Sequence, residues 1–427
     1  MEWLIIILLA LTMAAFRFFK VGNYFSPWFI TPLVWFGILF MFQFQNGLLY
    51  PLGTQFYTCL LIWVPLFCSA SLLTFKLLPA INDADGVEEI RTSNINYTLF
   101  NILFVITLIA TPINLYRILQ VVSMFDSADL FYNLRVLAVS QEYDFGVARY
   151  SYILNHALFV VALWQYPKVP LWKLLLILVM FLIGQFALME KNGIFLLMVS
   201  TLFVLFEKRV IRARTIGLTL LAVVLLFFLI NFSKEIKSDE NAESMNFIDF
   251  IGVYILSPPV AFEFITEDLS NQFGAHTFQY FYGILNNLGI GNFIVNQRLQ
   301  EWVWVPLPTN VYTIFMPFYQ DFGYMGVAYF GILYGSVFGY IYYKFRSGSL
   351  IAACAYAFIA KVLFVQFYHE DFIMSIATFG QFFLLVIIIC QTRIRWLSPN
   401  REKSYGDKTP ISDPHSEAID NDAVLPH

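Results

Sequence analysis

Across 427 residues the chain is 59% hydrophobic, 19% aromatic and only 13% charged, against about 25% charge in soluble domains. With a mean hydropathy of +0.68 that balance excludes a soluble enzyme, and a net charge of −4 without a basic patch excludes a nucleic-acid binder.

A helix crossing the hydrocarbon layer needs roughly 17 to 25 apolar residues, and about eleven such stretches recur. They lie near residues 2–16, 27–44, 53–75, 97–119, 147–166, 170–188, 192–206, 215–231, 321–343, 349–367 and 372–391. The first is short enough for a secretion signal. Its basic residues Arg17 and Lys20 follow the apolar run instead of preceding it, however, and no small-residue cleavage site appears, so it counts as a span.

Lys and Arg are retained on the cytoplasmic side of membrane proteins, which sets orientation. With the N-terminus outside, "EKRVIRAR" (207–214), "YKFR" (343–346), "TRIR" (392–395), Arg17 and Lys20 all fall inside. The chain then divides into a membrane domain, 1–396, and a disordered cytoplasmic tail, 397–427, whose acidic "SDPHSEAIDND" offsets the basic loops. Cys59, Cys68, Cys354 and Cys390 all sit in apolar spans and read as packing residues, not as a disulfide framework.

Two outer loops hold most of the polar chemistry, at about 114–149 and 231–321. The first carries Arg117, Arg135 and Arg149 on the side where arginine is disfavoured; beside them stand Asp126, Asp129, Glu142 and Asp144. Guanidinium forks bind phosphate bidentately, which makes these arginines candidate anion ligands, salt bridging within the loop being the plainer alternative. The second loop is rich in aromatics and turn residues, so short interfacial helices are expected there, with Trp302 and Trp304 at headgroup depth. Its one basic residue after Lys237 is Arg298. In "LPTNVYT", Thr309 or Asn310 is positioned to cap a helix that Pro317 then kinks. Thr309, Asn310 and Tyr312 are also candidate sugar ligands.

Between the last two spans the chain places "FVQFYHEDFIM", 364–374. The charged cluster either marks the end of a span or carries chemistry. Lys361, eight residues before His369, favours the second reading, because an unpaired lysine inside a span costs about 2.5 to 3.5 kcal/mol on insertion scales and must find a cavity or carboxylate. An imidazole, ordinarily titrating near 6.5, suits a general base. Glu370 and Asp371 are its rivals, or its orienting partners. His156, in an apolar span, and His276, alone in a loop, read as structural. No dense group of oxygens beyond Glu370 and Asp371 suggests an obligatory metal, and no cofactor is expected.

The blocks "VWVPLPTNVYTIF" (303–315), "FYHEDF" (367–372) and "LSPPVAFEF" (256–264) resemble those of the bacterial O-antigen polymerases, the Wzy-type oligosaccharide repeat-unit polymerases. That resemblance implies an all-α polytopic inner-membrane protein, a GT-C-like helical bundle with a large periplasmic loop containing short helices. It implies a membrane glycosyltransferase of lipopolysaccharide biosynthesis. Such an enzyme moves a growing glycan from undecaprenyl diphosphate onto the non-reducing end of an undecaprenyl-diphosphate-linked repeat unit at the periplasmic face. His369, Glu370 and Asp371 would then be catalytic, and Arg117, Arg135, Arg149, Arg298 and Lys361 would bind the diphosphate. The partners implied are the lipid-linked oligosaccharide donor and acceptor, membrane lipids and a chain-length regulator protein. One departure stands out: relatives place arginine-rich motifs in two periplasmic loops, whereas the large loop here has Arg298 alone.

The strongest rival from another class is a lipid-linked oligosaccharide flippase or transporter, although no internal repeat is visible and polar residues gather at one face. An O-antigen ligase and a membrane O-acyltransferase are the enzymatic rivals.

Overall fold

A computed structural model of the chain describes residues 2–45, 47, 49–79, 83–125, 130, 132–134, 137, 150–187, 191–212, 247–268, 272–295, 300–306 and 308–391. In chain order the elements are α1 (Glu2–Phe18), α2 (Pro27–Phe42), α3 (Thr54–Leu77), α4 (Asp83–Thr92), α5 (Tyr97–Val122), α6 (Ser151–Gln165), α7 (Leu171–Ala187) and α8 (Lys191–Glu207). There follow α9 (Phe247–Ala261), α10 (Gln279–Asn287), a hairpin of β1 (Val303–Trp304) and β2 (Pro308–Thr309), then α11 (Met316–Arg346), α12 (Leu350–Phe364) and α13 (Ile376–Cys390).

The described chain is a helical membrane protein. Helices α3, α5 and α11 are long and apolar enough to span a bilayer, and α2, α7, α12 and α13 are shorter and also apolar. Their outward faces carry bare hydrocarbon: Leu77, Ile109, Met325, Tyr329 and Leu384 are all exposed, a surface that water would not tolerate over such an area. The expected span at 215–231 and the tail at 397–427 lie outside the described residues.

Local chemistry sets the helix ends. Asn96 accepts the Leu99 N–H at 3.0 Å to cap α5, and the Ser349 hydroxyl accepts the Ala352 N–H at 3.3 Å to cap α12. Pro317 does not kink α11 as the sequence suggests. It occupies the first turn, where its missing N–H has no helical partner to lose. The break comes instead at Gly323, with φ 59° and ψ −150°, where a Cβ would also meet the Glu267 carboxylate at 2.8 Å. Nor do Thr309 and Asn310 cap that helix, because Pro308–Thr309 pairs antiparallel with Val303–Trp304.

Helix α11 lies against α3 along Gly331, Gly335 and Gly339, one small residue per turn. A Cβ at Gly335 would fall 2.4 Å from the Phe67 carbonyl oxygen, and one at Gly339 equally close to that of Ser71. Absent side chains let the two backbones touch, which is how helices associate where lipid offers no hydrophobic drive.

Cations gather at one end of the bundle. Arg346 pairs with Glu207 at 3.1 Å, Glu207 accepts from the Asn23 amide at 2.5 Å, and Tyr342 donates to Asn23 at 3.0 Å. The Lys208 ammonium donates to the carbonyls of Leu163, Trp164 and Tyr166, closing the end of α6. The link between α12 and α13 follows the end of α12 that points away from Arg346, and it meets α11 partway along, at Tyr334 and Phe338.

Candidate functional site

That link, residues 365–375, is not helical. The N–H groups of Tyr368 and His369 both bond the Val365 carbonyl, at 2.8 and 3.2 Å, so the chain turns as soon as α12 ends. Glu370 then gathers the backbone: its Oε1 accepts from the N–H groups of Phe372 (2.7 Å) and Ile373 (2.9 Å), and its Oε2 from that of Met374 (2.9 Å). The Tyr334 hydroxyl of α11 adds a fourth bond at 2.5 Å. Burial raises the Glu370 pKa above the ordinary carboxylate value, and these four donors oppose the shift without reversing it.

Gln366 anchors the link to the bundle. Its amide oxygen accepts from the indoles of Trp35 (3.3 Å) and Trp63 (3.0 Å), while its amide nitrogen donates to the Thr31 hydroxyl and the Leu363 carbonyl at 3.0 Å each. Its main-chain carbonyl takes the Ile314 N–H at 2.9 Å, which brings the 308–315 segment alongside. Sequence reasoning passed over Gln366, although an amide inside the apolar run "VLFVQF" was the available signal.

The chemistry converges on Asp371. Its Oδ2 lies 2.6 Å from the Lys361 ammonium, and its Oδ1 lies 3.2 Å from His369 Nε2 and 3.2 Å from the Ser375 hydroxyl. Asp371 and Lys361 are each 6% exposed. Burial alone would raise the Asp371 pKa, but the Lys361 charge and the His369 contacts outweigh it and hold the carboxyl well below the ordinary range. An ionised Asp371 accepts from Nε2–H, so in the neutral imidazole the lone pair lies on Nδ1. That nitrogen is itself buried, although the ring as a whole is part-exposed, and among the described residues it has no hydrogen-bond partner. The arrangement is a basic imidazole nitrogen oriented by a carboxylate, which a buried ammonium keeps charged.

The remaining candidates fall in different places. Tyr312 is 3% exposed and donates to the Glu301 carbonyl at 2.9 Å; burial and the Glu301 charge push its pKa up to about 12. Thr309 is buried and its hydroxyl accepts weakly from the Val311 N–H at 3.4 Å, and Asn310 is half-buried. Arg117 lies exposed on α5. Arg135, Arg149 and Arg298 lie outside the described residues. His156 is sealed among Phe181, Phe358 and Phe382, with Nε2 3.2 Å from the Ser200 hydroxyl, and His276 meets Asp268 at 3.0 Å. Among the described residues no three His, Cys, Asp or Glu side chains gather as metal ligands.

The chain is similar to an Escherichia coli (strain K12) protein named "Putative O-antigen polymerase", at 32% identity over 147 residues. The similarity is local. It spans 33% of this chain and 36% of the relative, so the chain covers just over a third of the length of the curated relative it matches. No family model matches the chain. No solved structure matches it either.

Proposed function

We propose that the protein is an oligosaccharide repeat-unit polymerase, a membrane glycosyltransferase that joins lipid-linked glycans at the outer face of the bacterial inner membrane. The observation that carries this reading is the Lys361–Asp371–His369 chain, which ends in an imidazole nitrogen with no hydrogen-bond partner among the described residues. The local likeness to an O-antigen polymerase supports it.

In the proposed transfer, His369 Nδ1 takes the proton of an acceptor sugar hydroxyl as that oxygen bonds to the anomeric carbon of the donor. The bond from that carbon to undecaprenyl diphosphate breaks, and the diphosphate leaves with the electron pair. Asp371 stabilises the imidazolium, and Lys361 keeps Asp371 ionised through the cycle. Arg117, Arg135, Arg149 and Arg298 are the proposed counter-charges for the leaving anion, a role worth most where water is excluded. Glu370, its oxygens committed to four donors, holds the turn that presents the imidazole. Thr309 and Asn310 are the proposed sugar contacts.

Deleting the gene and running the lipopolysaccharide on a gel tests the reading. Core carrying a single repeat unit is the expected result, and core alone would move the assignment to a ligase or an earlier transport step. In complemented cells, His369→Ala and Arg298→Ala should insert normally yet give no long chains. Normal ladders from both would sink the site.

A further inference from the structure

Beside His369 the link carries Tyr368, and the two rings meet edge to face with centroids 5.3 Å apart. Tyr368 in turn stacks on Tyr254 of α9, centroids 5.6 Å apart and planes 20° from parallel, and the two hydroxyls share a 2.8 Å hydrogen bond. At the start of α8, the Lys191 ammonium stands 5.1 Å from the centroid of the Tyr254 ring. Three separate elements thus build one row, ammonium, phenol, phenol, imidazole. Nothing in the proton-transfer scheme uses its first three members.

All four side chains are half-buried, so the row is neither sealed into the core nor lost on the surface. Phenol rings with a polar edge offer a flat apolar face to the C–H side of a pyranose and hydroxyls to its oxygens. Lysine, a compact point charge, binds a single oxyanion and does not demand the planar fork that arginine does.

Resting on the polymerase reading, we infer that Lys191, Tyr254 and Tyr368 form a subsite for a sugar that carries or adjoins an oxyanion. The tyrosine pair takes the ring, Lys191 takes the anionic oxygen, and the sugar's hydroxyl is delivered to His369 Nδ1. The oxyanion has two chemical sources, a diphosphate linked to the sugar or the carboxylate of an acidic sugar.

Binding to the full-length protein in detergent micelles, followed by intrinsic fluorescence, separates them. The probes are geranylgeranyl diphosphate and a glucuronate-containing disaccharide, with geranylgeraniol and a neutral disaccharide as controls. Saturable binding of at least one anionic probe is expected, weakened tenfold or more by Lys191→Ala and largely restored by Lys191→Arg. Tyr254→Ala should weaken the same probe. The probe that responds names the source. Failure of both anionic probes to bind the wild type, or equal binding by wild type and Lys191→Ala, overturns the subsite. A gel-filtration profile matching wild type excludes misfolding of Lys191→Ala, and the arginine variant keeps the test decisive if it does not match. The two readings fail separately: Lys191-dependent binding in a chain whose deletion leaves polymer intact sinks the polymerase, and wild-type binding by Lys191→Ala alongside His369-dependent polymer sinks only the subsite.

Discussion

Asp371 and Glu370 are neighbours with opposite surroundings, and that contrast is testable. Removing the Asp371 charge leaves the Lys361 ammonium buried without its counter-ion, and breaking such a pair costs about 3 to 5 kcal/mol. Asp371→Asn should therefore lower the thermal midpoint in detergent sharply, and Asp371→Leu combined with Lys361→Met should recover much of the loss. The pH dependence has a definite sign. Because the folded Asp371 pKa is depressed, its contribution is fully present above the unfolded pKa of about 3.9 and is lost as pH falls through the folded value. The stability gap between wild type and Asp371→Asn should shrink below about pH 4. A gap unchanged down to pH 3 would contradict the depressed pKa. Glu370→Gln, by contrast, sets an amide N–H₂ against backbone donors at 2.7 to 2.9 Å and should cost about 1 to 3 kcal/mol in stability. His369→Ala should lose polymer while moving the thermal midpoint little, which would distinguish the proposed proton acceptor from the side chain that shapes the turn.

Between elements, the α3–α11 contact makes the sharpest prediction. At Gly335 a methyl group would meet the Phe67 carbonyl oxygen at 2.4 Å, whereas at Gly331 the nearest atom, on Trp63, lies 3.5 Å away. Gly335→Ala should force the helices apart, at about 1 to 3 kcal/mol, while Gly331→Ala should be neutral or stabilising by up to about 1 kcal/mol through helix propensity. Equal midpoints for the two variants would argue against close backbone contact. The Gly-x-x-x-Gly-x-x-x-Gly spacing was visible in the sequence, but which helix it would meet was not, since Phe67 and Ser71 lie more than 260 residues away. The site shows the same division. Lys361 needing a carboxylate was legible from the cost of an unpaired charge, and Asp371 supplies it. That Glu370 would face inward and Asp371 toward His369 was not legible, because the link is a turn and helical spacing does not govern it. Hydropathy also overran the helix ends, since "VQF" continues the apolar run past Phe364 although the backbone has already turned at Val365.

At the scale of the whole molecule, sidedness decides whether the chemistry meets its substrates. The ion pair of Arg346 with Glu207 and the carbonyl cluster around Lys208 mark one end of the bundle, His369 follows the end of α12 away from it, and Trp304 is exposed in the hairpin. Retention of cations on the cytoplasmic face predicts that the first end is inside. Native cysteines make this straightforward to check, because Cys59, Cys68 and Cys354 are buried and only Cys390 is partly open. In a Cys390→Ala background, a membrane-impermeant maleimide added to intact spheroplasts should label Trp304→Cys, and should label Lys20→Cys only after the membrane is opened. The reverse pattern would put the imidazole in the cytoplasm, facing nucleotide sugars instead of flipped lipid-linked glycans, and the proposed transfer could not take place there.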